Sequence, residues 1–142
     1  MRVMMIVKTN QKAEAGVLPT EAQLAAMGTY NEELQKAGVL LDLSGLKPTS
    51  AGVRVRFGGG KPKVIDGPFT ESKELVAGYW IIQVRSKEEA IEWAKRIPAE
   101  RCEIGEVELR PFYELEDFVP GAAVEAAREL GRKLPRNAGG SR

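Results

Sequence analysis

The sequence predicts an α+β domain on the ferredoxin-like, split βαβ plan, with a β-hairpin inserted between its two halves. Three observations carry this. Apolar runs of strand length alternate with two longer segments of helical period, in the order β-α-β, hairpin, β-α-β. Capping signals open both helical segments. The strand LVAGYWIIQV, residues 75–84, is apolar on both of its faces, so one sheet needs cover on two sides.

Each element has its own justification. MRVMMIVK opens the chain, and residues 2–8 form the first strand. Its apolar run of about five residues is too short for a signal peptide or a membrane span. The segment from Asn10 to Pro19 reads as a loop, with Gly16 and Pro19 as breakers. Thr20 then opens a helix, with Gln23 at capping-box spacing. Leu24, Met27, Asn31 and Leu34 keep helical spacing, Ala37 lies behind them, and Gly38 stops the helix. Gly28 inside it costs about 1 kcal/mol against alanine, which a close helix–sheet contact would explain.

VLLDLS, residues 39–44, is a short strand interrupted by Asp42. VRVRF (53–57), the turn GGGKP and KVID (63–66) make the hairpin. Its alternation puts Val53, Val55 and Phe57 on one face and Arg54 and Arg56 on the other. Ser86 and Glu89 form a second capping box. Ala90, Ile91, Ala94 and Ile97 give the buried face of that helix, and Pro98 ends it. IGEVELRPFYE, 104–114, is the last strand. The domain therefore spans residues 1–119, and 120–142 form a C-terminal tail. Within the tail, AAVEAARELGRKL (122–134) is a short helix with Val124, Ala127 and Leu130 on a stripe, and RNAGGSR is loose.

Strand 75–84 places Tyr79, Ile81 and Gln83 on one side and Trp80, Ile82 and Val84 on the other. The helices can cover one side only. A second copy of the chain, sheet against sheet with two-fold symmetry, would cover the other. The alternative is that the C-terminal segment folds across it.

Composition excludes several classes. The chain has 142 residues, 43% of them hydrophobic and 29% charged, as one globular domain would. A net charge of +1, from 21 basic and 20 acidic residues, offers nucleic acid or an anionic membrane no broad attraction. One cysteine, Cys102, leaves no intrachain disulfide and suits the cytoplasm. With no histidine, every His-based triad and metal site is excluded. No metal or cofactor is expected, and any acid–base chemistry must use Asp, Glu, Tyr, Lys or the lone Cys.

MRVMMIVK, AGVL, VIDGPFTESKE, GYWIIQVRSKEEAIEWAKRIP and ELRPFYELEDF together resemble the YCII-related family, in its DGPF-containing branch. The resemblance spans about residues 1–119. It implies a dimeric α/β barrel of ferredoxin-like protomers. The broader family is described as enzymes on the strength of a His–Asp pair in some members, a pair this chain cannot carry. Relatives are often encoded beside extracytoplasmic-function sigma factors, which implies a regulatory setting.

Asp66 is the candidate catalytic residue. A carboxylate at a strand end, held by Gly67 and Pro68 and buried beside Phe69 and Trp80, would gain a raised pKa suited to a general base. The alternative reading is a turn residue accepting the turn's own amides. Tyr30, Asp42 and Trp80 are the candidate ligand-binding residues. Tyr30 and Trp80 can line an apolar pocket with polar tips, or simply pack the core. Asp42 matters if it is buried and paired, and is ordinary if it faces outward. Arg54 and Arg56 read as the wet face of an edge strand. FGGGKPK lacks the ending of a phosphate loop. Arg101 is expected to lower the pKa of Cys102 slightly. Glu71, Lys73 and Glu74 read as a solvated connection. Two functions remain: a small-molecule enzyme with a carboxylate acid or base, or a non-catalytic dimeric module that binds a ligand or regulates a partner.

Overall fold

The structure, a computed structural model, describes residues 1–70 and 74–135. Glu71, Lys73 and the expected loose tail from 136 onward lie outside the described residues.

The elements run β1 (Arg2–Lys8), α1 (Gln11–Glu14), α2 (Glu21–Lys36), β2 (Leu40–Gly45), β3 (Val53–Arg56), β4 (Lys63–Asp66), β5 (Val76–Gln83), α3 (Lys87–Lys95), β6 (Val107–Pro111) and α4 (Ala122–Lys133). Four strands form one sheet in the order β2-β5-β1-β6. Every pairing in it is antiparallel. Mixed α+β structure with this antiparallel sheet is compatible with the ferredoxin-like plan. The hairpin β3–β4 stands apart as its own two-stranded sheet.

Helix boundaries follow their caps. The Thr20 hydroxyl accepts the Gln23 amide at 3.2 Å, and the Gln23 side chain accepts the Thr20 amide at 3.0 Å. Gly38 takes the left-handed conformation, φ +73°, that stops α2. At α3 only half of the expected box forms. Ser86 accepts from the Glu89 amide, but the Glu89 carboxylate takes the amide of Arg85 instead. The expected loop at 10–19 contains a turn of helix, α1, because the Asn10 side chain caps it by accepting from the Ala13 amide. The contact invoked for Gly28 is absent: a methyl there would meet nothing within 4 Å.

The core lies between the sheet and helices α2 and α3. Val3 and Met5 from β1, Tyr30 and Leu34 from α2, and Trp80 and Ile82 from β5 form its centre. Ala90 and Ile97 bring in α3, with Trp93 half-buried beside them. Along β5 the burial alternates: Trp80, Ile82 and Val84 are buried, while Tyr79 and Ile81 are half-buried.

β2 carries the one irregularity that matters for a site. Leu40 pairs with Ile82, yet Asp42 pairs with Ile81, so Leu41 is an extra residue bulged out of the ladder. Without the bulge Asp42 would face Trp80 and the core. With it, Asp42 shares the face of Ile81, away from the helices. The last strand is shorter than expected, because the turn before it ends only at Ile104, whose amide bonds the Ala99 carbonyl. Helix α4 has no buried residue and makes its main contacts with the 3-10 turn at Leu115–Asp117. Ala127 and Leu130 on its expected stripe are exposed.

Candidate functional site

A cavity of about 410 Å³ opens at the end of the sheet where β1 leaves and β5 enters. Its walls come from both sides. Val7, Leu43 and Trp80 supply the sheet side, Leu24 and Met27 the α2 side, and Leu18 and Ile104 the loops. The size and the apolar lining are those of a small-molecule site.

Trp80 is the fixed wall. Its indole Nε1 donates to Asn31 Oδ1 at 2.7 Å. Its ring meets the Tyr30 ring edge-on, with centroids 5.4 Å apart and planes at 86°. Tyr30 is 3% exposed, and its hydroxyl donates to the Trp93 carbonyl at 2.7 Å. Burial pushes the Tyr30 phenol well above its ordinary value; Arg96 pulls it back and Glu33 adds to the rise. The structure thus brings Tyr30 and Trp80 together, with Tyr30 behind the wall and not in the lining. Its own opening is a second, polar hollow of about 250 Å³ that includes Arg96 and Arg101.

The polar rim is tied down. Lys12 Nζ contacts both carboxylate oxygens of Glu103, at 2.9 and 3.1 Å. The Asn10 side-chain amide donates to the Glu103 carbonyl at 3.0 Å. Glu103 itself holds φ +56°, a conformation unusual for a residue with a side chain. Cys102 also lines the cavity, and its thiol lies 3.6 Å from the Gln23 carbonyl. Burial pushes that thiol up and outweighs the lowering by Arg101, so the lowered pKa expected from Arg101 is corrected.

Asp66 is not at this cavity. It is exposed, it pairs with Val53 in the hairpin ladder, and it lines neither hollow. The expected burial beside Trp80 fails because the hairpin forms a separate sheet. What the DGPF stretch does build is a junction. A methyl on Gly67 would collide with the Thr49 carbonyl, so only glycine fits there. The Gly67 amide donates to the Gly52 carbonyl at 2.9 Å. The Phe69 amide donates to the Thr49 hydroxyl at 3.0 Å. Thr49 in turn donates its amide and hydroxyl to the two carboxylate oxygens of Glu14, at 2.8 and 2.7 Å. Arg54 lies 3.8 Å over the Phe69 ring. The motif therefore locks the hairpin exit to the 49–52 turn and to α1, whose Lys12 stands on the cavity rim.

Asp42 lies on the sheet face opposite the helices, half-buried, with Oδ2 3.4 Å from the Tyr79 hydroxyl and Oδ1 accepting the Leu43 amide at 2.8 Å. That face carries Met4, Ile6, Tyr79 and Ile81, all half-buried, with Arg2, Lys8, Glu108 and Arg110 around them. Glu108 accepts from Arg110 at 3.1 Å, and Lys8 Nζ stands 3.4 Å away. Hydrogen bonding to Arg110, then to Lys8, holds the Glu108 carboxyl below the usual carboxylate range.

Asn31 is the site residue that sequence reasoning did not single out. Its signal was present: an amide within the apolar stripe Leu24, Met27, Leu34 of α2. Among the described residues, no three His, Cys, Asp or Glu side chains gather as metal ligands. Among the described residues, no helix is long and apolar enough to cross a membrane.

The model of the YCII-related domain matches residues 1–116. An uncharacterised protein of Rhizobium meliloti (strain 1021) is 36% identical over 92 residues, 65% of this chain and 74% of that protein. Among solved structures, the 5-chloro-2-hydroxyhydroquinone dehydrochlorinase TftG of Burkholderia phenoliruptrix, in complex with 2,5-dihydroxybenzoquinone, covers 80% of this chain and 93% of its own. It does so at a TM-score of 0.44 and 11% identity, too loose an overlap to bear on chemistry. That family model spans most of the sequence, and the chain belongs to the YCII-related family.

Proposed function

We propose that this protein is a small-molecule binding module, non-catalytic and homodimeric, whose ligand occupies the cavity beside Trp80. One observation carries the reading. The cavity is largely apolar, and its one acidic lining residue among those described, Glu103, is engaged by Lys12. The carboxylate base expected from the sequence would have to be free to take a proton within reach of the ligand. Asp66 stands outside the cavity, and Asp42 is on the other face of the sheet. The site residues we propose are Trp80 as the ligand-facing wall and Tyr30 as its support.

The dimer would form through the face that the helices leave open. Its centre of Met4, Ile6, Tyr79 and Ile81 within a ring of charges has the composition of a protein interface. A two-fold axis across it would bury that centre.

Acetophenone is a suitable probe, being apolar and small enough for the cavity. A ligand that binds only the folded state raises the melting temperature as its concentration exceeds Kd. Acetophenone is expected to raise the melting temperature of the wild-type protein, and Met27→Trp, which fills the cavity, is expected to remove the effect. An equal rise in both proteins would place binding elsewhere and contradict the reading.

A further inference from the structure

We infer that Asn31 sets the specificity of the cavity, and that the ligand is an apolar molecule bearing a carbonyl oxygen. The inference rests on the binding role proposed for the cavity. An indole N–H can only donate, so the Asn31 atom 2.7 Å from Trp80 Nε1 is the amide oxygen by chemistry. That bond fixes the orientation of the whole amide. Its nitrogen is then a donor, and among the described residues it has no partner. Asn31 lines the cavity, half-buried, one helical turn beyond Met27.

A leucine at this position would pack better against Met27 and Leu34 and would suit the helix better. An asparagine there has two groups to satisfy. Trp80 satisfies the oxygen; a ligand oxygen satisfies the nitrogen. A hydrocarbon of the same shape would displace water from that donor and offer it nothing, which is where discrimination arises. An acceptor on the ligand is required, and a donor there would be rejected.

The test compares two probes of nearly equal size, acetophenone and ethylbenzene, on the full-length protein. Binding is read from the Trp80 indole signal in ¹⁵N NMR. Wild type is expected to bind acetophenone about tenfold more tightly than ethylbenzene, the worth of one hydrogen bond. Asn31→Asp keeps an oxygen for Trp80 and replaces the donor by an acceptor. It is expected to lose that preference at neutral pH while the unliganded Trp80 signal stays near its wild-type position. Equal affinity for the two probes in wild type overturns the inference and leaves the binding role standing. Binding of neither probe overturns both. The wild-type comparison decides the matter even if the variant folds poorly.

Discussion

A side chain cannot be added at Gly67 without moving the backbone of Thr49, whereas Asp66, one residue earlier, is exposed. Gly67→Ala is therefore expected to lower stability by about 3 kcal/mol, the upper end of the usual cost of forcing atoms into a packed site. Asp66→Asn is expected to change it by less than about 0.5 kcal/mol and to leave probe binding in the cavity unchanged. Chemical denaturation of the two variants checks both. The apparent oddity of an acid, a glycine and a proline in sequence thus resolves into a backbone device. The turn was legible in VIDGPF, but the partner that makes Gly67 obligatory is fifteen or more residues upstream, and no local pattern announces it. Tyr30 gives a prediction in pH. Its folded pKa is raised, so the stabilisation is complete below the unfolded tyrosine value, about 10, and is lost as pH climbs above it. Melting temperatures measured between about pH 9 and 11.5 should fall more steeply in wild type than in Tyr30→Phe. Parallel curves would mean that another group controls the alkaline loss.

At the scale of elements, the strands and both principal helices were readable because each carries a local signal. Thr20 with Gln23 caps α2, Gly38 ends it, and the run of 75–84 can only be a central strand. What escaped depends on pairing between elements. The bulge at Leu41 turns Asp42 away from the core, and nothing in VLLDLS alone requires it. The short α1 was hidden by Gly16 and Pro19, which suggest a loop, although Asn10 ahead of Gln11 is an ordinary cap. Asn31 was visible as an amide in an apolar stripe, yet its role needs Trp80, 49 positions away in sequence. Gly28 makes the element-level test. Since a methyl there meets open space, Gly28→Ala should stabilise the protein by about 1 kcal/mol through helix propensity alone. Thermal denaturation would show it. A loss of stability would mean that α2 packs more closely at this point than the structure has it.

In the whole molecule, the described residues form one layer of strands covered by helices on one side only. The far side keeps half-buried apolar groups at its centre, and α4 makes its main contacts elsewhere. We expect the protein to sediment as a dimer at micromolar concentration and Ile81→Arg, at the middle of that face, to sediment as a monomer. A monomeric wild type would contradict the proposed interface. Acid should weaken the charged ring around it. The lowered pKa of Glu108 means its favourable contacts with Arg110 and Lys8 hold above the normal carboxylate value and fade as pH falls through the depressed one.

The proposed role requires that the space beside Trp80 take up a small molecule. The most direct measurement is the Trp80 indole N–H resonance in a ¹⁵N spectrum of the full-length protein, recorded while acetophenone is added. A saturable shift of that resonance, shared by the amides of Val7 and Met27 and unaffected by Asp66→Asn, is the expected result. A Trp80 signal that stays in place while resonances near Asp66 move would contradict it.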